Sequence, residues 1–218
     1  MIYNAMAKYF FFDMDGTITE SRQRISPEMA TLLDKIPHVI ISGATLSQMR
    51  KQVGDRFLMP ISGNELWNGE YIWRDKLPFN TRRAIYRHIR ALNPEYTQDQ
   101  VEDRGGQISY SLIGHNAPQE LKKSFDPKGN IRRKLLSKIK GVEMRIGGTT
   151  NIDYSQKGKN KGSNIKRFLK EYGINPKDCV YFGDALYKNG NDESVIGIIK
   201  TIKVKNPKET LTILKNIL

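Results

Sequence analysis

Three short apolar runs most constrain what this chain can fold into: residues 7–13 (AKYFFFD), residues 38–42 (HVIIS) and Cys179–Gly183 (CVYFG). Each is continuous rather than alternating, which is the pattern of a strand covered on both faces, and a strand covered on both faces belongs to a parallel sheet. Helices are expected between them. One runs over 27–35, with Ser26 as its N-cap, and another over Leu46–Val53, opened by Thr45. Strands alternating with helices predict an α/β fold, a Rossmann-like doubly wound parallel sheet.

The middle of the chain follows another rule. Residues 81–92 read as a helix. Short strands over 100–104 and 107–112 surround Gly105-Gly106, and a second pair over 142–146 and 150–154 flanks Gly147-Gly148, so both read as hairpins. Between the hairpins, residues 119–139 hold one or two basic helices interrupted at Asp126-Pro127. Helical patterning returns at 160–172, closed by Gly173, and at 207–218. Hairpins with helices make an antiparallel α+β unit, so the expected organisation is a discontinuous core of 1–78 and 157–218 with an inserted cap of 79–156.

At 218 residues the chain is long enough to bury a core without disulfides or metal staples. No apolar stretch approaches the ~20 residues of a membrane span, and the start, MIYNAMAKYFFFD, does not read as a secretory signal. A single cysteine, Cys179, excludes an intrachain disulfide and a CxxC zinc site. The expected compartment is therefore the reducing cytoplasm. The 36 basic residues outnumber the 23 acidic ones by 13. Residues 1–78 balance at nine each, whereas 79–156 carry 14 against 8 and 157–218 carry 13 against 6. The surplus favours anionic partners. Nucleic acid on an inactive hydrolase scaffold is the remote alternative, disfavoured because no RNA-recognition or zinc-finger pattern is present.

The chemistry concentrates in Asp13-Met14-Asp15-Gly16-Thr17-Ile18-Thr19, directly after the first apolar run. Ligands of open α/β sheets bind outside the carboxyl ends of strands, so both carboxylates are expected to face that crevice. Asp13 can attack phosphorus, while Asp15 protonates the leaving oxygen and later activates water. Gly16 permits a sharp turn, and Thr17 is expected to fix it by a local hydrogen bond.

This DxDGTxT segment resembles the first motif of the haloacid dehalogenase (HAD) superfamily of phosphotransferases. The resemblance implies three further motifs in order. Ser42 fits the second, its hydroxyl and the neighbouring amides, including that of Gly43, holding phosphoryl oxygens. Lys161 in GKNKGSNIKRF fits the third better than Lys157, supplying a fixed ammonium. Asp184 in GDALYKNGND fits the fourth. With Asp13 and the carbonyl of Asp15 it implies an oxygen-rich Mg²⁺ site, in which Asp192 takes an outer position.

Over nearly the whole chain the sequence further resembles the C2B-capped (IIB) branch, near the eukaryotic-type phosphomannomutases and related sugar phosphatases. TESRQRI (19–25) is similar to that family's TxxRQxI, which implies a substrate contact at Arg22. ELWNG (65–69), EDR (102–104), SYSLIG (109–114), IGG (146–148) and NID (151–153) follow in the family's order. The mutases place three arginines against a distal phosphate. Those positions read Arg104, His115 and Lys122 here, and a pair that holds sugar hydroxyls reads Asn151 and Asp153. Lysine lacks the guanidinium fork and histidine is mostly neutral at pH 7. The expected activity is accordingly Mg²⁺-dependent hydrolysis of a small phosphorylated sugar through a phospho-Asp13 intermediate, with phosphomannomutase as the alternative. Relatives often pair through the cap, so the resemblance also implies a homodimer.

Overall fold

A computed structural model describes residues 9–218 of the chain. The opening residues, on which the start of the first apolar run and the signal-peptide expectation fall, lie outside the described part. In chain order the elements are β1 (Tyr9–Phe12), α1 (Pro27–Leu33), β2 (His38–Ile41), α2 (Leu46–Val53), β3 (Leu58–Met59), β4 (Glu65–Asn68), β5 (Glu70–Arg74) and α3 (Phe79–Leu92). They continue as β6 (Val101–Asp103), β7 (Gln107–Ser111), α4 (Gln119–Phe125), α5 (Asn130–Leu135), β8 (Val142–Gly147) and β9 (Asn151–Gln156). The last four are α6 (Lys161–Glu171), β10 (Cys179–Gly183), β11 (Lys200–Lys203) and α7 (Pro207–Ile217).

The strands form two sheets. The larger is ordered β11-β10-β1-β2-β3-β4-β5, parallel from β11 to β3 and antiparallel beyond. The three middle strands of its parallel part, β10, β1 and β2, are the three apolar runs. Successive side chains of a strand point to opposite faces, and here both faces are covered. Phe10, Phe12, Ile40, Val180 and Phe182 pack with Met29 and Leu33 of α1, Met49 and Val53 of α2, and Leu214 of α7. Phe11, Val39, Ile41 and Tyr181 pack with Ile165, Phe168 and Leu169 of α6. The helices start where their caps require. Ser26 accepts from the Met29 amide, while Thr45 and Gln48 form a complete capping box on α2.

The smaller sheet, ordered β6-β7-β9-β8, is antiparallel throughout. Ile85 and Ile89 of α3 seal its outer face over Ile108, Tyr110, Ile152 and Tyr154. Both hairpins form where Gly105-Gly106 and Gly147-Gly148 predict turns. The basic stretch divides into α4 and α5 because Asp126 turns its carboxylate onto the amides of Ile131 and Arg132, starting a new helix. Four strands were not expected. β3 has two residues, β11 is an edge strand with lysine at each end, and β4–β5 is a hairpin at Asn68-Gly69 that the family-like ELWNG segment had absorbed. Among the described residues no helix is long and apolar enough to cross a membrane.

Candidate active site

The carboxyl ends of β1, β2 and β10 bring the predicted groups together. Asp13 follows β1 directly, its amide bonded to the Phe182 carbonyl of β10 at 2.9 Å. The chain then folds back on itself, with the amides of Thr17, Ile18 and Thr19 all donating to the carbonyl of Met14. Gly16 has φ +80, and a Cβ there would stand 2.9 Å from Asp184 Oδ2. Both the turn and the approach of Asp184 therefore require glycine. The hydroxyl that braces the turn belongs to Thr19, which donates to Met14 O at 3.2 Å. Thr17, expected to do this, is buried with its hydroxyl unpartnered.

Lys161 is the first residue of α6, a helix capped by Asn160. Its fully buried ammonium lies 2.5 Å from Asp13 Oδ1 and 2.7 Å from Asp192 Oδ1. Lys157, the rival lysine, stays on the connecting turn, where its amide bonds Gly141. One carboxylate oxygen each of Asp13, Asp184 and Asp192 falls within 4.8 Å of the others. Three carboxylates against one ammonium leave two negative charges in a buried space, an all-oxygen set suited to a hard divalent cation. The strain of that crowding is visible in the acids. Burial, and then the charge of Asp192, push Asp184 up to about 6. Burial raises Asp13 well above the usual carboxylate range despite the opposing pull of Lys161. Asp192 is not free to turn outward: Lys161 and the Tyr181 hydroxyl hold Oδ1, and the Ala185 amide holds Oδ2.

Asp15 sits apart from this cluster. It accepts the amide of Arg22 at 2.9 Å, a contact made possible by the left-handed backbone of Arg22 (φ 60). Burial raises its pKa and Arg22 moderates the rise, so the carboxyl stays protonated to higher pH than a free aspartate. Ser42, at the end of β2, accepts the Ala44 amide, and its carbonyl receives the amide of Ser62 at 2.7 Å.

A cavity of about 440 Å³ lies between the two sheets over these groups. Asp13, Asp15, Ser42, Gly43 and Asp184 line its floor, and Arg22, Arg104, Lys122, Asn151 and Asp153 line its sides. Arg104 is already committed at both ends, to Gly43 O at 2.7 Å and to Glu102 through Nε and Nη2. Asp153 accepts the Ser109 hydroxyl, and Asn151 the hydroxyl of Thr150. His115 is placed differently. Its buried ring faces the Ser109 carbonyl and Glu102, burial lowers its pKa, and the ring does not line the cavity. What His115 offers is its carbonyl, which receives Lys122 Nζ at 2.6 Å and Arg22 Nη1 at 3.1 Å.

Three participants were not read from the sequence. Tyr181 lay hidden in an apolar run. Ser62 follows Ile61, and both are left-handed (φ 58 and 53) with no glycine to announce it. Gln107 reaches from β7 to accept the Ser62 hydroxyl at 2.9 Å, with its own amide nitrogen buried and unpartnered. The only available signal was a polar side chain inside an otherwise apolar segment.

Known proteins resemble this chain in sequence and in fold. A family model described as haloacid dehalogenase-like hydrolase matches residues 7–188. The phosphomannomutase of Encephalitozoon cuniculi is 26% identical over 232 residues, spanning 92% of this chain and 90% of that protein. The phosphomannomutase of Saccharomyces cerevisiae is 29% identical over 234 residues, spanning 93% and 91%. Among solved structures, a haloacid dehalogenase-like hydrolase from B. subtilis superposes with a TM-score of 0.67 at 13% identity, over 97% of this chain and all of that one. An N-terminally truncated IMP-nucleotidase from Plasmodium falciparum gives 0.66 at 16% identity, over 98% of this chain and 70% of that one. At these identities the solved structures bear on the fold alone.

Proposed function

Because the chain belongs to the haloacid dehalogenase-like hydrolases and is a phosphomannomutase-like phosphoryl-transfer enzyme, we propose that it is a cytoplasmic Mg²⁺-dependent phosphatase of a small phosphorylated sugar. The observation that carries this is the pairing of Lys161 with both Asp13 and Asp192 beneath a polar cavity. In this reading Oδ2 of Asp13 attacks phosphorus while Oδ1 stays on Lys161, which holds the carboxylate in one rotamer. The P–O bond to the sugar breaks as the P–O bond to Asp13 forms. Asp15, whose pKa is raised by burial, gives a proton to the departing sugar oxygen. It then takes a proton from the water that attacks the aspartyl phosphate, releasing inorganic phosphate and restoring Asp13. Ser42 and the amides after it cradle the equatorial oxygens. Asp13, Asp184 and the Asp15 carbonyl would hold Mg²⁺, with Asp192 behind them, and the bound cation supplies charge neutralisation at the transferring group.

Residues 79–156 act in this reading as the cap that selects the sugar. Arg22, Arg104 and Lys122 face its anionic or polar end, Asn151 and Asp153 its hydroxyls, and His115 contributes through its carbonyl. Hydrolysis is favoured over mutase action because a mutase must retain a bisphosphate while it turns over. Of the three positions that are arginine in the mutases, one is arginine here and another faces away from the cavity. The curated relatives are named phosphomannomutases, so the mutase is the second reading.

Purified protein supplied with mannose 1-phosphate and Mg²⁺ should release inorganic phosphate, and Asp13→Asn should abolish it. Mannose 6-phosphate formed only when a hexose 1,6-bisphosphate is added would instead establish the mutase. No phosphate release and no isomerisation from a panel of sugar phosphates would defeat both.

A further inference from the structure

Tyr181 lies on the face of β10 that packs against α6, among Phe11, Val39, Ile41, Ile165 and Phe168. Phenylalanine would satisfy that packing, so the hydroxyl needs its own account. The residue is fully buried, and a buried hydroxyl without partners is costly. Its partners are both groups of the candidate active site: Asp192 Oδ1 at 2.6 Å and Lys161 Nζ at 3.3 Å.

The direction of every bond in this cluster follows from valence. An ammonium has three N–H groups and no lone pair, whereas a phenol has one proton and accepting lone pairs. Tyr181 must therefore donate its single proton to the Asp192 carboxylate and accept from Lys161. Lys161 donates to Asp13 Oδ1 and Asp192 Oδ1, with Tyr181 Oη a longer third contact at 3.3 Å. The other oxygen of Asp192 takes the Ala185 amide at 3.1 Å. Asp192 therefore has a donor besides Lys161 on each side of its carboxylate.

Two carboxylates thus compete for one ammonium at nearly equal distance, 2.5 and 2.7 Å. In a buried site their shares depend on what else neutralises each of them. Asp192 has the Tyr181 hydroxyl and the Ala185 amide, which weaken its claim on Lys161.

We infer that Tyr181 is a positioning residue for Lys161: its hydroxyl donates to the competing carboxylate of Asp192 and so leaves Nζ held against Asp13. The consequence for rate rests on the proposed role of Asp13 as nucleophile; the bonding pattern does not. With phenylalanine at 181, Asp192 loses a donor and its uncompensated carboxylate draws the ammonium away from Asp13. The loss should appear in turnover rather than in substrate binding, because Tyr181 does not line the cavity.

The experiment compares wild type with Tyr181→Phe on p-nitrophenyl phosphate in Mg²⁺ buffer, and records the lysine ammonium signals of ¹⁵N-lysine-labelled protein. The expected result is a roughly tenfold fall in kcat, the scale of one hydrogen bond to a charged group, with KM within about twofold. Wild type should show a slowly exchanging ammonium signal, assigned to Lys161 by its absence in Lys161→Met, and Tyr181→Phe should lose it. An unchanged kcat, whatever happens to the melting temperature, overturns the inference. So does an ammonium signal that persists in Tyr181→Phe. If wild type releases no phosphate, the reading of the reaction fails while the ammonium signal still decides the role of Tyr181. Should Tyr181→Phe not fold, site-specific 3,5-difluorotyrosine keeps the ring and strengthens the donor; an unshifted Lys161 signal would then refute the assignment.

Discussion

Lys161 and Asp13, 148 positions apart in the chain, meet at 2.5 Å in a space closed to solvent. Neither is placed by the other. Asp13 is carried there by β1 and Lys161 by the capped start of α6, two elements that pack through Phe11 and Phe168. The contact is the meeting point of the central strand and the helix that covers it.

Replacing Lys161 by methionine keeps an unbranched side chain one atom shorter and removes its charge. Buried Asp13 and Asp192 and half-buried Asp184 then face one another without compensation, a loss of about 3–5 kcal/mol where a buried charge pair is broken. The expected outcome is a lower midpoint in urea together with phosphatase activity reduced at least about a hundredfold, the scale of losing one electrostatic stabiliser. Added Mg²⁺ should recover part of the stability and none of the rate. Activity within a few-fold of wild type would count against the arrangement.

Gly16 offers a test that adds an atom rather than removing one. Alanine there must adopt φ near +80 and brings a methyl group to 2.9 Å from Asp184. The backbone strain is about 1 kcal/mol, which a domain of this size tolerates. The displacement of Asp184 is the larger effect. Gly16→Ala should remain folded by circular dichroism, with the Mg²⁺ concentration for half-maximal activity raised roughly tenfold (about 1.4 kcal/mol of lost coordination). An unshifted Mg²⁺ dependence would show that Asp184 does not need that space.

The three histidines bear on acid stability. Burial lowers the pKa of His38, His88 and His115 below the ordinary 6.5. Between each folded value and 6.5 the unfolded chain binds more protons, so stability rises with pH across that window. Their neutral forms therefore favour the fold fully above pH 6.5 and progressively less as pH falls below it. Asp13, Asp15 and Asp184, whose pKa values are raised, act in the opposite sense. The histidine contribution is read by difference. In thermal melts at pH 7.5 and 5.5, wild type should lose more stability, relative to the double variant His38→Gln/His88→Gln, at the lower pH. Parallel curves would remove the histidines from the account.

The centre of the larger sheet was legible because doubly covered strands cannot disguise themselves: YFFF, HVII and CVYFG had to be buried on both sides. Its margins were not. β3 is two residues long, and β11 shows lysine at each end because an edge strand needs little apolar surface. At the site, Asp13, Asp15, Ser42, Asp184 and Lys161 were legible from strand ends and family-like order. Tyr181 was not, because a tyrosine in an apolar run reads as packing until its hydroxyl has an address. His115 shows the converse limit. A residue type suggests what a side chain can do, whereas here the fold turns the ring inward and employs the carbonyl. Ile61 and Ser62 adopt left-handed backbone without glycine, held by bonds from Ile61 to Ala44 and from Ser62 to Ser42 that only the assembled sheet supplies.

The pairing of β1 with β10 has a consequence for biosynthesis. Tyr9–Phe12 leaves the ribosome long before its partner Cys179–Gly183, with eight other strands between them. Until then one edge of an aromatic strand stays open on the nascent polypeptide, a segment of the kind that self-associates. Lys161, Asp184 and Asp192 emerge after Asp13, Asp15 and Ser42 and after all of residues 79–156. A translation product that stops short of them would therefore carry Asp13 without its ammonium partner and without the other two carboxylates, as an aggregation hazard.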